Sequence, residues 1–432
     1  MEIKLVYQII EEINRRFCAQ MHEKGIDGYQ VGRMAPLNDG FVKMANLAVV
    51  ASHSVNGVSQ LHSNILKETV FKDFYQVMPQ KFKNVTNGIA HRRWLNQSNP
   101  ELAAFLTETI GDGYIHDANE LSKFLAYKDD KVTLEKLETI KYHNKQRLAE
   151  YIKKSNNVAV NPNSIFDVQV KRMHEYKRQH LNALHILATY QWLRENPNAD
   201  FTPHTYIFGA KAAPAYIIAK DIIHLILCLQ ELIANDPEVA PYLKVVMVEN
   251  YNVTLAEKLI PAADIHEQIS LASKEASGTS NMKFMLNGAV AIGTMDGANV
   301  EMHQFVGDDN IYIFGESSEE VIKHYEKADY VSRSYYENDA NIKRAIDFIV
   351  SDQMKAVGCA ENLERLYNEL LNKDWFMTLP DFEEYVATKE RIYADYEDRM
   401  AWAKKMLVNI SKAGFFSSDR TIAQYNEDIW HL

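Results

Sequence analysis

Short apolar runs alternate with longer stretches of helical periodicity through the middle of the chain. Each run is bounded by Gly, Asn or Asp, as is typical of strands buried on both faces of a sheet. The candidate strands are Ile165 to Val170, Thr205 to Phe208, Leu243 to Val248, Ala289 to Ile292 and Ile311 to Phe314. Because helical stretches separate the runs, the pattern predicts βαβ units, a parallel sheet and therefore an α/β fold.

Two helices are well marked between the first strands. The apolar residues of the first helix recur at helical spacing, and they are Leu181, Leu184, Leu187 and Trp192. This helix ends before Pro197, because the residue that precedes a proline disfavours the helical region. The second is a long apolar helix that ends before Pro237. The residues before about 154 and beyond Gly315 are mainly helical in pattern, so helical N-terminal and C-terminal extensions are expected before and after the strands in the sequence.

The stretch from Glu275 to Asn287 reads EASGTSNMKFMLN. Its small polar residues, which end at Asn281, are N-cap types, so they should present backbone N–H groups and hydroxyls to an anion at the start of a helix. We expect Lys283 in the first turn of that helix, where the helix dipole and burial beside other cations favour a neutral, nucleophilic amine. Such an amine can hold an aldehyde. Taken alone, however, a lysine on a helix is most often a solvated charge.

One dense basic group interrupts an otherwise acidic chain. It consists of Lys171, Arg172, Lys177 and Arg178, at the end of the first candidate strand and the start of the helix that follows. Taken alone, such a group is usually a solvated surface. In an open α/β sheet, however, ligands bind outside the carboxyl ends of the strands. A helix N-terminus with four cations in that place is suited to two phosphate groups lying side by side.

Composition and charge exclude several classes of function. The chain has 432 residues, is 47% hydrophobic and 24% charged, and carries a net charge of −11. A general nucleic-acid binder needs a positive surface, so that class is disfavoured. The three cysteines are widely spaced and match no metal or redox motif, and no signal peptide or membrane span is recognised. These observations predict a cytoplasmic protein that has no membrane segment and no metal site.

Several segments resemble one enzyme family. The string EASGTSNMKFMLN resembles the pyridoxal-phosphate site signature of the glycogen, starch and maltodextrin phosphorylases. FDVQVKRMHEYKRQ, from Phe166 to Gln179, resembles a second hallmark of that family, and FSSDRTIAQYNEDIW, from Phe416 to Trp430, resembles its last helix. IIEEINRRF and ASHSVNGVSQLHSNILK are similar to segments late in the family's N-terminal domain. The chain therefore resembles the C-terminal half of a phosphorylase.

The resemblance implies a fold and a domain organisation. The fold would be a Rossmann-like doubly wound parallel sheet, which is one half of the GT-B glycosyltransferase architecture. Residues 1–82 would be a mainly helical remnant of the family's N-terminal domain. Residues 83–415 would form the C-terminal domain that binds cofactor and phosphate. Residues 416–432 would be a terminal helix that crosses back to the N-terminal segment.

The resemblance also implies a cofactor, pyridoxal 5′-phosphate, with Lys283 as the cofactor lysine and with Lys171 and Lys177 on the cofactor phosphate. The implied cofactor-binding residues are Lys283, Lys171, Lys177, Trp94, Tyr251, Gly278, Thr279 and Ser280. The residues implied to bind sugar or orthophosphate are Asn87, Tyr176, Arg172, Glu275, Ser277 and Gly278. The implied catalytic residues are Lys283, Arg172 and Lys177. Asn252 occupies a position where animal members carry arginine, and Ser280 one where many members carry glycine.

The implied reaction is the reversible phosphorolysis of α-1,4-glucans by orthophosphate, which yields α-glucose 1-phosphate. Where a glycosidase uses two carboxylates, phosphate would act as the acid, and the second pKa of a phosphate monoester, about 6, suits that role. Two alternatives stay open: an aminotransferase-like pyridoxal enzyme, and a cofactor- and glucan-binding half without turnover of its own. A homodimer is possible. The resemblance does not indicate which glucan is preferred.

Overall fold

The computed structural model describes residues 2–432, with side chains from residue 4 onward. It divides into two compact units. The first comprises the described residues up to Asn87 together with Thr421–Leu432, and the second is Gly88–Arg420. The structure thus divides after Asn87 and after Arg420. The boundaries expected from the sequence were after residue 82 and after residue 415.

The first unit is mainly helical. Its helices are α1 (Glu2–Glu23), α2 (Gly28–Met34), α3 (Met44–Ala51), α4 (Gln60–Ile65) and α5 (Lys72–Val77). Two small sheets accompany them, in which β1 (Leu37–Asn38) pairs with β2 (Phe41–Val42) and β3 (Val55–Gly57) pairs with β4 (Phe82–Asn84). The apolar core of this unit contains Phe17, Met21, Val31, Met34, Val49 and Phe74. The C-terminal segment joins the same unit, because the Asn56 amide donates to the Tyr425 hydroxyl at 3.0 Å.

The second unit is built around a six-stranded sheet. Its strands are β5 (Ile165–Val170), β6 (His204–Gly209), β7 (Leu243–Met247), β8 (Ile265–Gln268), β9 (Val290–Gly293) and β10 (Tyr312–Ile313). Helices up to the end of the sheet are α6 (Pro100–Ile110), α7 (Lys131–Asn156), α8 (Gln179–Glu195), α9 (Ile217–Ala234), α10 (Val253–Leu259), α11 (Ser280–Leu286) and α12 (Asn299–Val306). Beyond the sheet follow α13 (Ser318–Lys327), α14 (Ser332–Asn338), α15 (Ala340–Ile349), α16 (Asp352–Val357), α17 (Ala360–Asn372), α18 (Phe382–Glu397) and α19 (Arg399–Lys412). The last helix, α20 (Ser418–Tyr425), begins in this unit, and its residues from Thr421 onward belong to the first unit.

All neighbouring strands of this sheet are parallel, in the spatial order β10-β9-β8-β5-β6-β7. Counted along the chain from β5, that order is 6-5-4-1-2-3, the doubly wound order of dinucleotide-binding sheets. Every residue of β5 and β6 is buried, as expected for strands covered on both faces. The direction of winding reverses between β5 and β8, so the crevice beyond their carboxyl ends is the expected ligand site.

The structure confirms the predicted α/β class and the parallel sheet, but two local predictions were wrong. No strand was predicted at β8, whose sequence is IHEQ, because polar residues hide a strand that is buried along its whole length. Trp192 was placed on the apolar face of α8, yet 44% of its surface is exposed, while Leu181, Leu184 and Leu187 are buried. The other five predicted strands are present with ends shifted by at most a few residues.

A charged cluster is buried under the two central strands. Lys389 of α18 forms ion pairs with Asp167 in β5 and with Glu267 in β8, the latter at 2.7 Å. All three side chains are fully buried. The Tyr385 hydroxyl donates to Glu267 at 2.9 Å. Burial raises the pKa of Glu267 to about 8. One lysine therefore links the two strands that flank the switch point.

Among the described residues, no helix is both long and apolar enough to cross a bilayer.

Candidate functional site

The two predicted motifs meet at the switch point of the sheet. Lys171 directly follows β5, and its Nζ donates to Gln268 Oε1, at the end of β8, at 2.5 Å. Gln268 Nε2 in turn donates to Ser280 Oγ at 3.2 Å. Ser280 is the first residue of α11, the helix that carries Lys283. A polar chain, and not apolar packing, therefore connects the basic segment with the helix of the predicted cofactor lysine.

A second contact joins the same two segments. The turn of 3₁₀ helix Glu175–Lys177 follows β5, and its Lys177 forms an ion pair with Glu275. The Tyr176 hydroxyl donates to the same carboxylate oxygen at 3.0 Å, and Lys177 Nζ lies 4.5 Å from the centre of the Tyr176 ring. Burial alone would raise the pKa of Glu275, but the nearby Lys177 and Lys171 lower it. Glu275 is therefore held as a carboxylate.

Asp296 fixes the loop that carries Glu275. Its two carboxylate oxygens accept hydrogen bonds from the backbone N–H of Ser273 at 2.9 Å and of Glu275 at 2.8 Å. Gly297, with φ of +50°, packs so closely that an added Cβ would lie 2.5 Å from the Ser277 carbonyl oxygen. Burial raises the pKa of Asp296 to about 7. The loop is thus tied to the turn after β9 by hydrogen bonds and by a contact that only glycine permits.

We expected Lys283 in the first turn of α11. It lies instead in the middle of this helix, which begins at Ser280 and is only seven residues long. Its Nζ lies 4.1 Å from the centre of the Trp94 ring, and Asn287 donates to the Trp94 carbonyl at 2.8 Å. No carboxylate of the described residues forms a salt bridge with this amine. Burial, and then the charge of Arg93, lowers the pKa of Lys283. A larger neutral fraction makes the amine more nucleophilic, which was the chemical point of the prediction.

The small polar residues before α11 form its entry. Thr279 is the N-cap residue, but its side chain makes no capping hydrogen bond, contrary to the usual behaviour of that residue type. Gly278 has a φ of +74°, a conformation that favours glycine. The Ser277 hydroxyl donates to the Gly278 carbonyl at 2.9 Å, and Ser277 is buried. The loop thus brings Ser280 next to Gln268, which in turn contacts Lys171.

The remaining predicted residues are placed as follows. Tyr251 packs beside Gly209, at the end of β6, and burial raises its pKa to about 12. Arg172 is exposed beyond β5, and within residues 2–432 its guanidinium has no salt-bridge partner. Asn252 caps α10 by accepting from the Leu255 N–H at 3.1 Å. Asn87 belongs to the first unit, so its role in holding sugar stays a prediction.

The family model described as carbohydrate phosphorylase matches residues 3–432. The chain belongs to the carbohydrate phosphorylase family.

Relatives within this family are similar over nearly the whole chain. The maltodextrin phosphorylase of Streptococcus pneumoniae serotype 4 is 59% identical over 424 residues, which is 98% of this chain and 55% of that protein. The glycogen phosphorylase of Bacillus subtilis is 48% identical over 99% of this chain and 54% of its own length. The muscle glycogen phosphorylase of Oryctolagus cuniculus is 46% identical over 98% of this chain and 50% of its own length. The chain thus spans about half the length of the phosphorylases that it matches.

Sequence reasoning missed three residues of this candidate site. Gln268 connects Lys171 to Ser280 but lies in the strand that was not predicted. His174 caps the turn at Glu175–Lys177, and its ring lies 4.8 Å from that of Tyr176. Asp296 holds the loop of Glu275, and its only signal in the sequence is the Asp-Gly dipeptide, which usually marks a turn. Among the described residues no group of three or more His, Cys, Asp or Glu is arranged to hold a metal ion.

Anion binding at this site should depend on pH through Lys171. Burial and the charge of Lys177 lower the pKa of Lys171 to about 7, so this amine loses its positive charge as the pH rises through 7. We expect the affinity for sulfate, which does not titrate in this range, to fall about tenfold between pH 6 and pH 8 as the protonated fraction falls. Calorimetric titration at a series of pH values measures this. Lys171→Met should bind sulfate more weakly and with a flatter pH dependence. An unchanged slope in that variant would contradict the assignment.

Proposed function

We propose that this chain carries the cofactor and phosphate site of a pyridoxal-phosphate-dependent α-1,4-glucan phosphorylase. The observation that supports it most directly is the meeting of the two motif segments, through Lys177–Glu275 and through Lys171–Gln268–Ser280, at the switch point of the sheet. The family membership supplies the reaction type, and the site supplies cations and one carboxylate in the places that the reaction needs. The proposed architecture is one half of a GT-B fold.

The residues present fit pyridoxal 5′-phosphate. Lys283 offers an amine against the Trp94 ring, and its pKa is lowered by burial and by the nearby cation Arg93. Lys171 and Lys177 would hold the phosphate group of the cofactor, together with backbone N–H groups at Gly278, Thr279 and Ser280. Tyr251 and Trp94 would pack near the cofactor. When bound, the cofactor supplies a phosphate group that can hold and release a proton near neutral pH.

The chain's own residues would bind and orient the reactants. Arg172, exposed beside the site, would clamp orthophosphate in a bidentate manner, with a stabilisation that grows as charge develops. Tyr176, Glu275 and the loop at Ser277 and Gly278 would hydrogen-bond sugar hydroxyls. Lys177 contacts two of these sugar-binding residues, because it lies against the Tyr176 ring and pairs with the Glu275 carboxylate. In this proposal the cations for phosphate would act next to the hydrogen-bonding groups for sugar.

A binding half without turnover of its own is the second candidate, and one observation favours it. Arg172 is exposed and the side chains of Lys177 and Glu275 are 15% and 24% exposed, whereas a catalytic site that excludes water makes electrostatic stabilisation more effective. A homodimer and a cytoplasmic location are expected on family grounds alone. Which glucan is preferred stays open between glycogen, starch and maltodextrin.

One experiment separates these candidates. The chain is incubated with pyridoxal phosphate, a short maltodextrin and orthophosphate, and α-glucose 1-phosphate is measured. Release of glucose 1-phosphate that is lost in Arg172→Ala, but retained in the exposed control Arg333→Ala, would support the full proposal. Binding of cofactor and maltodextrin without product would support the second candidate. An absorbance shift of the bound cofactor with amino acids would instead support an aminotransferase-like enzyme, and absence of cofactor binding would contradict all three.

A further inference from the structure

A cavity of about 590 Å³ lies away from the candidate site. It is enclosed by α8, the loop before β6, α15 and α18, and it includes His204, the first residue of β6. Because the strands are parallel, this is the amino end of the sheet, whereas Lys171 follows the carboxyl end of β5. The volume falls in the range of small-molecule sites, roughly 300 to 1,000 Å³. The phosphorylase reaction proposed above makes no use of it.

Aromatic rings form one wall of this cavity. The ring centres of Trp192 and Phe201 are 6.0 Å apart, and those of Phe201 and Tyr393 are 6.5 Å apart in an edge-to-face arrangement. Trp192 is 44% exposed although it is the largest apolar side chain on its helix. Such a wall offers a flat apolar surface on which the body of a ligand, or its positive charge, can rest.

Four carboxylates line the same cavity, and they are Asp200, Glu383, Glu390 and Glu397. Within residues 2–432, none of them forms a salt bridge. Arg344 is the one cation among the lining residues, and it already pairs with Glu195, outside the lining, at 2.6 Å. Burial raises the pKa of Glu383, and the charges of Asp339 and Glu390 raise it further. The cavity is therefore negative and is not neutralised by its own residues.

Two buried histidines in the lining have nitrogen atoms without a hydrogen-bond partner. These atoms are Nε2 of His204 and Nδ1 of His185, and both side chains are almost completely buried. His204 Nδ1 lies 2.5 Å from the Thr202 carbonyl, so it carries the proton and Nε2 carries a lone pair. Burial lowers the pKa of His204 to about 3, which keeps the ring neutral. Burial likewise lowers the pKa of His185, so the two buried histidines add no positive charge that would offset the carboxylates.

We propose that this cavity binds a small protonated amine that carries an aromatic ring. The ring would pack on Trp192 and Phe201, and the ammonium group would lie among Glu383, Glu390 and the other carboxylates. An anion, such as a nucleotide or a sugar phosphate, is excluded by the sign of the charge. A neutral sugar would use the aromatic wall but would leave the carboxylates unpaired.

The test is calorimetric titration of the chain, without pyridoxal phosphate or glucan, with three probes. 2-Phenylethylammonium has both the ring and the charge, 2-phenylethanol has the same shape without the charge, and spermidine has charge without a ring. We expect one 2-phenylethylammonium per chain with a Kd of about 1 mM or lower, and binding at least about tenfold weaker for each of the other two probes. Because no cofactor is present, the result is independent of the proposed phosphorylase activity.

Variants decide whether the cavity is the site. Trp192→Ala and the double variant Glu383→Gln/Glu390→Gln should each weaken binding of 2-phenylethylammonium about tenfold or more. The matched controls are Trp375→Ala, another exposed tryptophan, and Glu319→Gln/Glu326→Gln on α13, and they should bind as the wild type does. The substituted side chains are exposed, so the variants should fold, and their thermal unfolding checks this. The proposal is overturned if no saturable binding occurs, if alcohol or spermidine binds as tightly as the amine, or if the cavity variants behave like the controls.

Discussion

Replacing Lys283 with alanine should abolish the covalent attachment of pyridoxal phosphate. Lys283 is partly buried against Trp94 and has no carboxylate partner in the described part of the chain, so its pKa is lowered and its amine is available to an aldehyde. The measurement is the intact mass after incubation with pyridoxal phosphate and reduction with borohydride. The wild type should gain the mass of one reduced cofactor, and Lys283→Ala should remain at background.

Two further variants make this result specific. Lys283→Arg keeps the positive charge but cannot form the covalent link, so it should also lose attachment. Lys274→Ala removes an exposed lysine from the same loop region, and it should retain attachment, since Lys274 packs on Tyr325 instead, at 4.0 Å from the ring centre. Attachment that persists in Lys283→Ala at another lysine would show that the cofactor lysine had been assigned wrongly.

Replacing Lys389 with methionine should reduce the free energy of unfolding of the second unit by about 3 to 5 kcal/mol. Lys389 is the buried partner of Asp167 and of Glu267, and methionine would leave both carboxyl groups in the interior without a cation. The cost comes from an uncompensated buried charge more than from the loss of the attraction itself. Urea unfolding followed by circular dichroism measures the change.

Controls separate burial from charge. Lys404 pairs with Asp129 on the surface at 2.8 Å, and Lys404→Met should have little effect, because exposed ion pairs contribute little to stability. The triple variant Lys389→Met/Asp167→Asn/Glu267→Gln removes all three charges, and it should recover part of the loss. If Lys389→Met proved as stable as Lys404→Met, the buried cluster would not support the central strands in the way described.

The fold was predictable wherever burial coincided with apolar sequence. The apolar helix α9 stands out because all but one of the residues that it buries are apolar, and β5 is recognisable because four of its six buried residues are apolar. β8 was invisible because its buried positions are His266, Glu267 and Gln268. Glu267 accepts hydrogen bonds from Lys389 and Tyr385, and Gln268 accepts one from Lys171, all from residues distant in sequence. A pattern along the chain records the residue type but not the partner that makes its burial possible.

The candidate site residues were predictable where they lie in a contiguous sequence motif. The residues that position those motifs from other parts of the chain were not predictable. Lys171, Lys177, Glu275 and Lys283 lie in two motifs, and the structure brings the first three of them into one polar cluster. Gln268 and Asp296 position those motifs, but neither lies in a recognisable pattern. The predicted position of Lys283 within its helix was wrong because the small polar residues that we expected to precede α11 extend into it, and the helix already begins at Ser280.

With Lys177 assigned to phosphate and Glu275 to sugar, as proposed above, the ion pair between them would make binding of the two ligands cooperative. An anion that binds Lys177 would have to break this ion pair, and so would a sugar hydroxyl that binds Glu275. Whichever ligand arrives first therefore bears the cost of separating the two side chains, and the second ligand binds without it. By thermodynamic linkage the two affinities rise by the same factor, so occupancy by sugar and by phosphate would be synchronised without any movement of the backbone.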